Sequence, residues 1–352
     1  MGTDPSGFRG RGATANPANR FELIHYERDP EAGPDDPAPA TQFFKDSSRS
    51  IIARNDSPDV GFDASINPYR GCEHGCVYCY ARPTHEYLGL SAGLDFETKI
   101  MVKEDAPELL RRELASPRWQ PQTLALSGVT DPYQPIERRL QLTRRCLEVL
   151  AEFRNPVVIV TKNHLVTRDT DLLLELAKHR AVGVFISVTT LDADLARTLE
   201  PRATSPSGRL TAIEQLSRAG VPVGVMVAPV IPGLNDHEIP AVVKAVAAAG
   251  ARFAGYTMLR LPYAVAVLFE EWLERHRPGS KERILGRIRD VRDGRLNDPR
   301  FGSRMRGEGV LAEQIRSLFH LSCRQAGINS SRLELSTASF RCPQGTQHLL
   351  FE

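Results

Sequence analysis

The stretch GCEHGCVYCY, residues 71–80, holds three of the six cysteines in this chain of 352 residues. These three are Cys72, Cys76 and Cys79, and the remaining cysteines lie singly at distant positions. Thiols gathered in one short segment are typical of a metal or cluster site, and disulfides are rare in a reducing compartment. The sequence therefore predicts a metal or cluster site in this segment.

The spacing C-x3-C-x2-C suits a [4Fe–4S] cluster, because three thiolates can ligate three irons of a cubane. The fourth iron then stays open to an exogenous molecule. S-adenosylmethionine (SAM), chelated there through its amino and carboxylate groups, can be cleaved by one electron to release a 5′-deoxyadenosyl radical. Zinc is the alternative, with His74 or His85 as the fourth ligand, although no second pair of closely spaced cysteines is present.

Outward from this loop, short apolar runs alternate with helical patterns. Six runs rich in Val and Ile have the nearly continuous apolar character of strands buried on both faces. They cover residues 64–70, 123–128, 156–162, 182–190, 221–229 and 251–259. Helical repeats separate them, at 106–115, 138–153, 170–179, 210–220 and 239–250. This order predicts parallel strands joined by right-handed crossovers.

Six such units predict an α/β fold, a partial (β/α)6 TIM-type barrel with its site at the C-terminal ends of the strands. An open doubly wound sheet is the alternative, but no G-x-G-x-x-G motif follows the first strand. We divide the chain into an irregular or disordered N-terminal extension (1–60), the barrel core (61–262) and a mainly helical C-terminal region with a terminal tail (263–352).

Charge is distributed unevenly along a chain whose formal net charge is +2. Residues 275–306 contain eleven basic and four acidic side chains, a balance of +7. A basic segment of this kind suits a polyanion, so nucleic acid is a predicted partner. A solvated helix face is the alternative explanation.

Composition narrows the class of protein. Hydrophobic residues make up 41% of the chain and charged residues 25%, which is ordinary for a soluble globular protein. No apolar stretch approaches the roughly 20 residues that span a bilayer. The opening, MGTDPSGFRGRG, lacks the apolar core of a signal peptide. We therefore expect a cytoplasmic protein that does not bind a membrane.

The cysteine spacing, with an aromatic residue before the third cysteine, resembles the signature of the radical SAM superfamily. The resemblance covers about residues 62–260 and is greatest to the branch that contains spore photoproduct lyase and its uncharacterised bacterial relatives. It is carried by CVYCYARPTHEYLG (76–89), SGVTDPYQPIE (127–137), VTKN (160–163) and GLND (233–236). It implies a [4Fe–4S] cluster, SAM, and an electron donor such as flavodoxin or ferredoxin.

The resemblance also implies roles for particular residues. Tyr78 and Tyr80 match paired tyrosines that the lyase family places near SAM and in its hydrogen-transfer chain, so both are candidate catalytic residues. Lys162 matches a lysine that contacts SAM, and Ser187 matches a serine with a similar role. An ammonium and a hydroxyl suit the carboxylate and ribose oxygens of SAM.

Position along the chain adds further candidates for SAM binding. Thr130 and Asp131 follow the second strand, where many members of the superfamily carry Gly-Gly-Glu. Arg202 follows the fourth strand, together with Glu200 and Arg209, and is predicted to bind SAM or an anionic substrate. A surface cluster of ion pairs is the alternative for these three.

One departure from the lyase pattern concerns the reaction. The lyase has a cysteine just after its second strand that returns a hydrogen atom to the product radical. This chain has Ser127-Gly128-Val129 at that point, without a thiol. Photoproduct reversal is therefore not predicted as its reaction.

The chain ends in Gln347-His-Leu-Leu-Phe351-Glu352. This resembles the Gln-Leu-Ser-Leu-Phe type of peptide by which bacterial DNA enzymes dock on the sliding clamp. Such a peptide binds as an extended anchor with apolar side chains in a pocket. We predict clamp docking through Gln347–Phe351, with an apolar tail packed on its own domain as the alternative.

These observations predict a radical SAM enzyme with an unassigned lyase- or transferase-like reaction, acting on nucleic acid in DNA repair or base modification. Two alternatives stay open. One is an enzyme that modifies a protein or a small molecule, and the other is a non-catalytic iron–sulfur protein.

Overall fold

The computed structural model describes residues 10–22 and 39–343. Ten strands form within these residues. They are β1 (Gln42–Lys45), β2 (Ile52–Arg54), β3 (Ala64–Ile66), β4 (Tyr69–Arg70), β5 (Lys99–Val102), β6 (Leu124–Leu126), β7 (Val157–Thr161), β8 (Val182–Ser187), β9 (Val223–Val230) and β10 (Phe253–Met258).

The main sheet has the order β10-β9-β8-β7-β6-β3-β2. Its first six strands are all parallel, and β2 pairs antiparallel with β3 at one edge. The predicted partial (β/α)6 barrel is therefore confirmed. The order of strands has two free ends, β10 and β2, so the sheet does not close on itself. A second, small sheet has the order β1-β5-β4.

Twelve α-helices are formed by the described residues. They are α1 (Leu94–Thr98), α2 (Ala106–Leu114), α3 (Glu137–Leu140), α4 (Leu142–Phe153), α5 (Thr170–Lys178), α6 (Ala193–Leu199), α7 (Pro206–Ala219), α8 (Ile239–Ala248), α9 (Ala264–His276), α10 (Lys281–Asp290), α11 (Ser303–Arg306) and α12 (Gly309–Gln325). Short 3-10 helices cover Arg82–Leu88, His164–Asp169, Asp236–Glu238 and Pro278–Ser280.

The helical pattern predicted over 138–153 is two helices, because Gln141 adopts a left-handed conformation with φ of 53°. At this break, a side chain of the first helix binds N–H groups of the second. The carboxylate of Glu137 accepts hydrogen bonds from the N–H groups of Thr143 at 3.1 Å and Arg144 at 3.3 Å. These are N–H groups at the start of α4, which lack partners within the helix, so Glu137 caps the second helix.

The C-terminal region covers the free edge of β10. The side-chain amide of Asn329 accepts from the N–H of Ala254 and donates to its carbonyl, both at 2.9 Å. The ring of Phe319 on α12 packs 4.8 Å from that of Tyr256. An exposed strand edge can pair with another chain, so these contacts protect it.

Two strands lie within residues 1–60, the stretch treated above as an extension. β1 joins the small sheet and β2 the main sheet. In the part of the chain that the structure describes, no helix has the length and apolar character needed to cross a bilayer.

Residues 10–22 lie against the first part of the core. The N–H of Leu94 donates to the carbonyl of Ala15 at 3.1 Å, and Arg275 on α9 donates to the hydroxyl of Thr14 at 3.1 Å. Gly12 approaches the cysteine loop so closely that a Cβ atom there would lie 1.8 Å from a backbone oxygen of that loop. This N-terminal segment therefore packs as part of the domain.

Substitution of Gly12 by alanine tests this packing. The new methyl group would collide with the carbonyl of Gly75, so we expect Gly12→Ala to lower the free energy of unfolding by about 2 kcal/mol or more. The control is Gly286→Ala in α10, where a Cβ meets nothing within 4 Å, and which should stabilise by about 1 kcal/mol. Urea denaturation measures both, and a neutral Gly12→Ala contradicts the packing.

Candidate iron–sulfur and SAM site

The cysteine loop, residues 71–80, follows β3 of the main sheet and then β4 of the small sheet. The backbone fixes it on two sides. The N–H of Cys72 donates to the carbonyl of Phe96 at 2.9 Å, and the N–H of Val77 donates to the carbonyl of Leu199 at 3.0 Å. The loop therefore lies between α1 and the end of α6.

A fully buried arginine organises this loop from the inside. Arg82 donates from Nε to the carbonyl of Cys76 at 2.9 Å and from Nη2 to that of Gly75 at 3.1 Å. Its Nη1 donates to the carbonyl of Gly93 at 2.9 Å. The same guanidinium forms an ion pair with the carboxylate of Glu97. The backbone carbonyls of the loop are thus held by one side chain.

Glu97 extends this arrangement to the N-terminal segment. Its Oε1 accepts the N–H of Ala13 at 2.8 Å, and its Oε2 accepts the N–H of Gly12 at 3.0 Å. Both charged side chains of the pair have no exposed surface. A buried ion pair needs such additional hydrogen bonds to offset the loss of hydration.

The three thiols of the loop carry no disulfide, and Cys72 and Cys76 are buried while Cys79 is half-buried. Burial raises the pKa of all three. Within residues 10–22 and 39–343, no three His, Cys, Asp or Glu side chains converge on the position of a single metal ion. A cubane differs from a single ion because each thiolate binds a different iron.

Backbone N–H groups face the sulfurs and favour their charged form. The N–H of Asp131 hydrogen-bonds to the sulfur of Cys72, and those of Ala81 and Arg82 to the sulfur of Cys79. Each of these contacts opposes the rise in thiol pKa that burial causes. Three free thiols with amide donors at two of them fit the ligand set of an iron–sulfur cluster.

Asp131 ties the loop to the ends of β6 and β7. Its Oδ2 accepts the N–H of Lys162 at 2.7 Å and lies 3.3 Å from Nδ1 of His74. Its Oδ1 accepts the hydroxyl of Thr161 at 2.7 Å and the N–H of Tyr133 at 2.9 Å. Burial raises the pKa of Asp131, but the interactions with His74 and the other donors outweigh this effect, and the pKa is lowered.

Both histidines named above as alternative zinc ligands are engaged elsewhere. The second ring nitrogen of His74, Nε2, lies 3.2 Å from the side-chain amide of Asn163. Nε2 of His85 hydrogen-bonds to the carbonyl of Lys99 at 2.9 Å, and burial lowers the pKa of His85 to about 4. His74 therefore orients the loop through two hydrogen bonds.

Tyr78 points into a buried polar network. Its hydroxyl donates to the carboxylate of Glu200, which also accepts the hydroxyl of Thr189 at 2.6 Å. Arg209 forms an ion pair with the same carboxylate, and both charged groups are almost fully buried. The family resemblance implies a place for Tyr78 near SAM or in a hydrogen-transfer chain, and the structure places its hydroxyl within this network.

Lys162 and Ser187, the candidate SAM-binding residues at the ends of β7 and β8, lie at the edge of the same network. Nζ of Lys162 lies 3.9 Å from the Glu200 carboxylate and 5.9 Å from the centre of the Tyr78 ring. Ser187 ends β8, and its carbonyl accepts Nη1 of Arg209 at 3.0 Å. The ammonium of Lys162 and the backbone carbonyl of Ser187 thus both lie next to residues of this network, and a role in SAM binding stays a prediction for both.

Charges explain the state of Glu200. Burial by itself raises the pKa of this carboxyl, yet its pKa is lowered to about 2. The positive charges of Arg209 and Lys162 oppose the effect of burial, and the hydroxyls of Thr189 and Tyr78 add to them. Glu200 is therefore a buried carboxylate at neutral pH.

Tyr80 faces the opposite way from Tyr78 and is 47% exposed. Its hydroxyl donates to the carbonyl of Gly128 at 2.6 Å. This is the turn where the lyase family carries its hydrogen-returning cysteine, and here Ser127 Oγ donates to the carbonyl of Thr130 at 3.1 Å. The Tyr80 hydroxyl therefore links the end of the cysteine loop to the turn that lacks a thiol, residues 127–130.

The remaining candidates have structural partners. The hydroxyl of Thr130 donates to the carbonyl of Tyr69 at 3.0 Å, and the side chain is buried. Arg202 lies 3.0 Å from the carboxylate of Glu73 in the cysteine loop and 3.3 Å from the hydroxyl of Thr41. A role in SAM binding stays a prediction for both residues.

Several residues that contact and position the cysteine loop were not predicted from the sequence. They are Arg82, Glu97, Asn163, Gln134 and Arg260. Arg82, Gln134 and Asn163 lie in segments that carry the family resemblance, but no motif spacing marks any of them. The contacts of Gln134, Asn163 and Arg260 join segments that are distant in the chain.

A partial barrel of six parallel strands, with three thiols in the loop after the first of them, defines a protein of the radical SAM type. The family model described as the Radical SAM superfamily matches residues 66–246, which is just over half of the chain. The chain therefore belongs to the radical SAM superfamily, and the expected family membership is confirmed.

Relatives are similar over part of their length. An uncharacterised protein of Mycobacterium tuberculosis is 40% identical over 219 residues, which cover 62% of this chain and 64% of that protein. A radical SAM Nalpha-GlyT isomerase of Pseudomonas phage M6 is 28% identical over 173 residues, or 49% of this chain and 34% of the isomerase. The match thus spans less than two thirds of either relative.

Solved structures share the fold. Spore photoproduct lyase complexed with dinucleoside spore photoproduct superposes with a TM-score of 0.59 at 16% sequence identity. The match covers 81% of this chain and 80% of the lyase. At this level of sequence identity the likeness is one of fold.

Removing the positive partner of Glu200 tests the buried network. Arg209→Met would leave the carboxylate buried beside only the more distant Lys162, so we expect the free energy of unfolding to fall by about 3–5 kcal/mol. The control on the same helix is Arg218→Met, which removes an exposed pair with Glu214 and should cost less than about 1 kcal/mol. Urea denaturation measures both, and equal losses contradict a buried pair.

Proposed function

We propose that this protein binds a [4Fe–4S] cluster through Cys72, Cys76 and Cys79 and cleaves SAM reductively. The observation that carries this proposal is the loop itself, with three free thiols and backbone N–H donors directed at two of the sulfurs. When bound, such a cluster supplies the single electron that converts SAM to methionine and a 5′-deoxyadenosyl radical.

The surrounding residues have tasks that follow from their contacts. Lys162 lies near enough to lower the thiol pKa of Cys76 and Cys79 against the effect of burial, so its charge favours their thiolate form. Its ammonium also suits the carboxylate of SAM. Asp131 holds the backbone of Lys162 and the ring of His74 in place, which keeps the loop and the end of β7 in register.

We further propose that the substrate is nucleic acid. The basic segment 275–306 contains both buried and surface arginines. Arg292 is buried and donates to backbone carbonyls, whereas Arg277, Arg283 and Arg287 line a surface groove of about 860 Å³. Guanidinium groups at such a surface suit phosphate oxygens. The phage relative is named as an isomerase, and the lyase of similar fold was solved with a dinucleoside photoproduct.

Loss of the cysteines tests the cluster and the SAM chemistry. In Cys72→Ala, Cys76→Ala and Cys79→Ala variants, we expect 5′-deoxyadenosine formation to fall to the background, because each removes one cluster ligand. The measurement is anaerobic reconstitution with iron and sulfide, followed by SAM and dithionite. The matched control is Cys342→Ala, an exposed cysteine that should leave turnover unchanged. Full turnover by the loop variants contradicts the proposal.

Clamp docking through Gln347–Phe351 is a separate proposal, and these residues lie outside the described part of the chain. It is supported by the sequence of the terminal peptide and by the proposed action on nucleic acid.

Substitution of the two apolar anchors tests this docking. We expect the double variant Leu350→Ala, Phe351→Ala to weaken binding to a bacterial sliding clamp by about tenfold or more, because buried aromatic and aliphatic anchors dominate such interfaces. Surface plasmon resonance with an immobilised clamp measures the affinity. His348→Ala, two residues before the first anchor, is the control and should bind as the wild type does. Unchanged binding by the double variant excludes the terminal peptide as the docking site.

A further inference from the structure

Arg260, which follows the C-terminal end of β10, lies beside the cysteine loop and has a side-chain N–H group without a hydrogen-bond acceptor. Nε of Arg260 is buried and has no hydrogen-bond partner among the described residues. Its Nη1 lies 3.8 Å from the sulfur of Met305, which is a weak acceptor. Its guanidinium carbon lies 5.0 Å from the centre of the Tyr80 ring. A buried guanidinium donor without a partner is costly, and a ligand that accepts from it removes this cost.

The nearby carboxylates are already committed to other groups. Asp59 forms an ion pair with Arg304 and accepts the N–H of Gly302 at 2.6 Å. Asp298 pairs with Arg300 at 2.9 Å. These contacts leave Arg260 without a carboxylate partner.

A second arginine, itself buried, strengthens the positive potential at this point. Arg292 donates to the carbonyls of Leu259 and Ser303 at 2.6 and 2.9 Å, and its own Nε also lacks a partner within the described residues. Burial lowers its pKa to about 10, and the neighbouring charge of Arg260 acts in the same direction. Both groups stay cationic at neutral pH, so an anion is favoured here.

Aromatic side chains flank these guanidinium groups. Tyr80 directly follows the cluster ligand Cys79, and its hydroxyl bond to the Gly128 carbonyl fixes its ring while leaving it 47% exposed. On the other side, Phe301 is 58% exposed and its ring centre lies 4.4 Å from the guanidinium carbon of Arg304. Two aromatic rings and two guanidinium groups therefore extend from the cysteine loop out to α11.

We propose that Arg260 binds a phosphate of an unpaired nucleotide whose base stacks on the exposed part of the Tyr80 ring. The exposed ring of Phe301 then receives the base of the neighbouring nucleotide of the same strand. A guanidinium matches phosphate oxygens in a bidentate manner, and every base has a face that can stack on an aromatic ring. This inference rests on the proposed action on nucleic acid and adds the residues that present the target nucleotide to the radical.

The geometry favours a single strand over an intact duplex. A ring that directly follows a cluster ligand can contact a base face only if that base is unstacked from its neighbours. Proteins that bind single-stranded nucleic acids without sequence preference also use surfaces that combine cations with aromatic rings.

Salt-dependent binding of Arg260→Gln tests the proposal on the reconstituted full-length protein. The probes are fluorescent 12-nucleotide strands of one sequence as DNA and as RNA, measured by anisotropy across a salt series. We expect the dissociation constant of the preferred strand to rise about tenfold, with the slope of log affinity against log salt shrinking by about 0.7, the value for one phosphate contact on a single strand. Arg260→Lys should retain most of the slope.

Two further variants keep the test interpretable. Phe301→Ala removes an exposed ring without disturbing the core and should weaken binding about fivefold or more, as loss of one base–ring stack does. Arg295→Gln removes an exposed arginine of the same basic segment that contacts neither Arg260 nor Tyr80 among the interactions described, and it should leave affinity and salt slope unchanged. Tighter binding of DNA or of RNA supports the proposal and identifies the strand.

Three results would overturn it. The first is wild-type protein that forms 5′-deoxyadenosine but binds neither strand, which refutes this inference while the SAM chemistry stands. The second is an equal loss for Arg260→Gln and Arg295→Gln, which indicates diffuse charge. The third is a weaker affinity of Arg260→Gln for SAM with unchanged affinity for the strands, which assigns Arg260 to the cofactor. A wild type that forms no 5′-deoxyadenosine refutes the proposed function itself.

Discussion

The buried ion pair of Arg82 and Glu97 is the interaction on which the site depends. The arginine satisfies the carbonyls of the cysteine loop, and the carboxylate satisfies the N–H groups of Gly12 and Ala13. A loop with few regular hydrogen bonds of its own would otherwise leave these groups unpaired away from water. The pair therefore contributes through the contacts it makes possible, more than through the attraction of its two charges.

Two further carboxylates, at the ends of the strands, likewise connect groups from different segments. Asp131 joins the loop to β7, and Glu200 joins Tyr78 to Arg209 and Lys162. The strands below are packed from Val, Ile and Leu, and both carboxylates lie beyond the C-terminal ends of these strands. A reaction centre built there inherits groups whose orientation is fixed before any ligand arrives.

Periodic features of the sequence predicted the barrel, because strands buried on both faces and amphipathic helices impose a pattern on neighbouring residues. The cysteine loop was predictable for the same reason, since its ligands are local. The split at Gln141 and the pairing of Arg82 with Glu97 were not, because each depends on a backbone conformation or on contacts between distant segments. A glutamate buried against an arginine has no sequence pattern that separates it from an exposed one.

The contact between Thr14 and Arg275 has a consequence for biosynthesis. Its two partners are separated by 261 positions, so this contact forms only after α9 has been translated. The other partners of the N-terminal segment, Glu97 and Leu94, are made much earlier. Domains tend to form as their segments emerge, so the N-terminal segment can pack behind the cysteine loop during synthesis and be fixed there when α9 arrives.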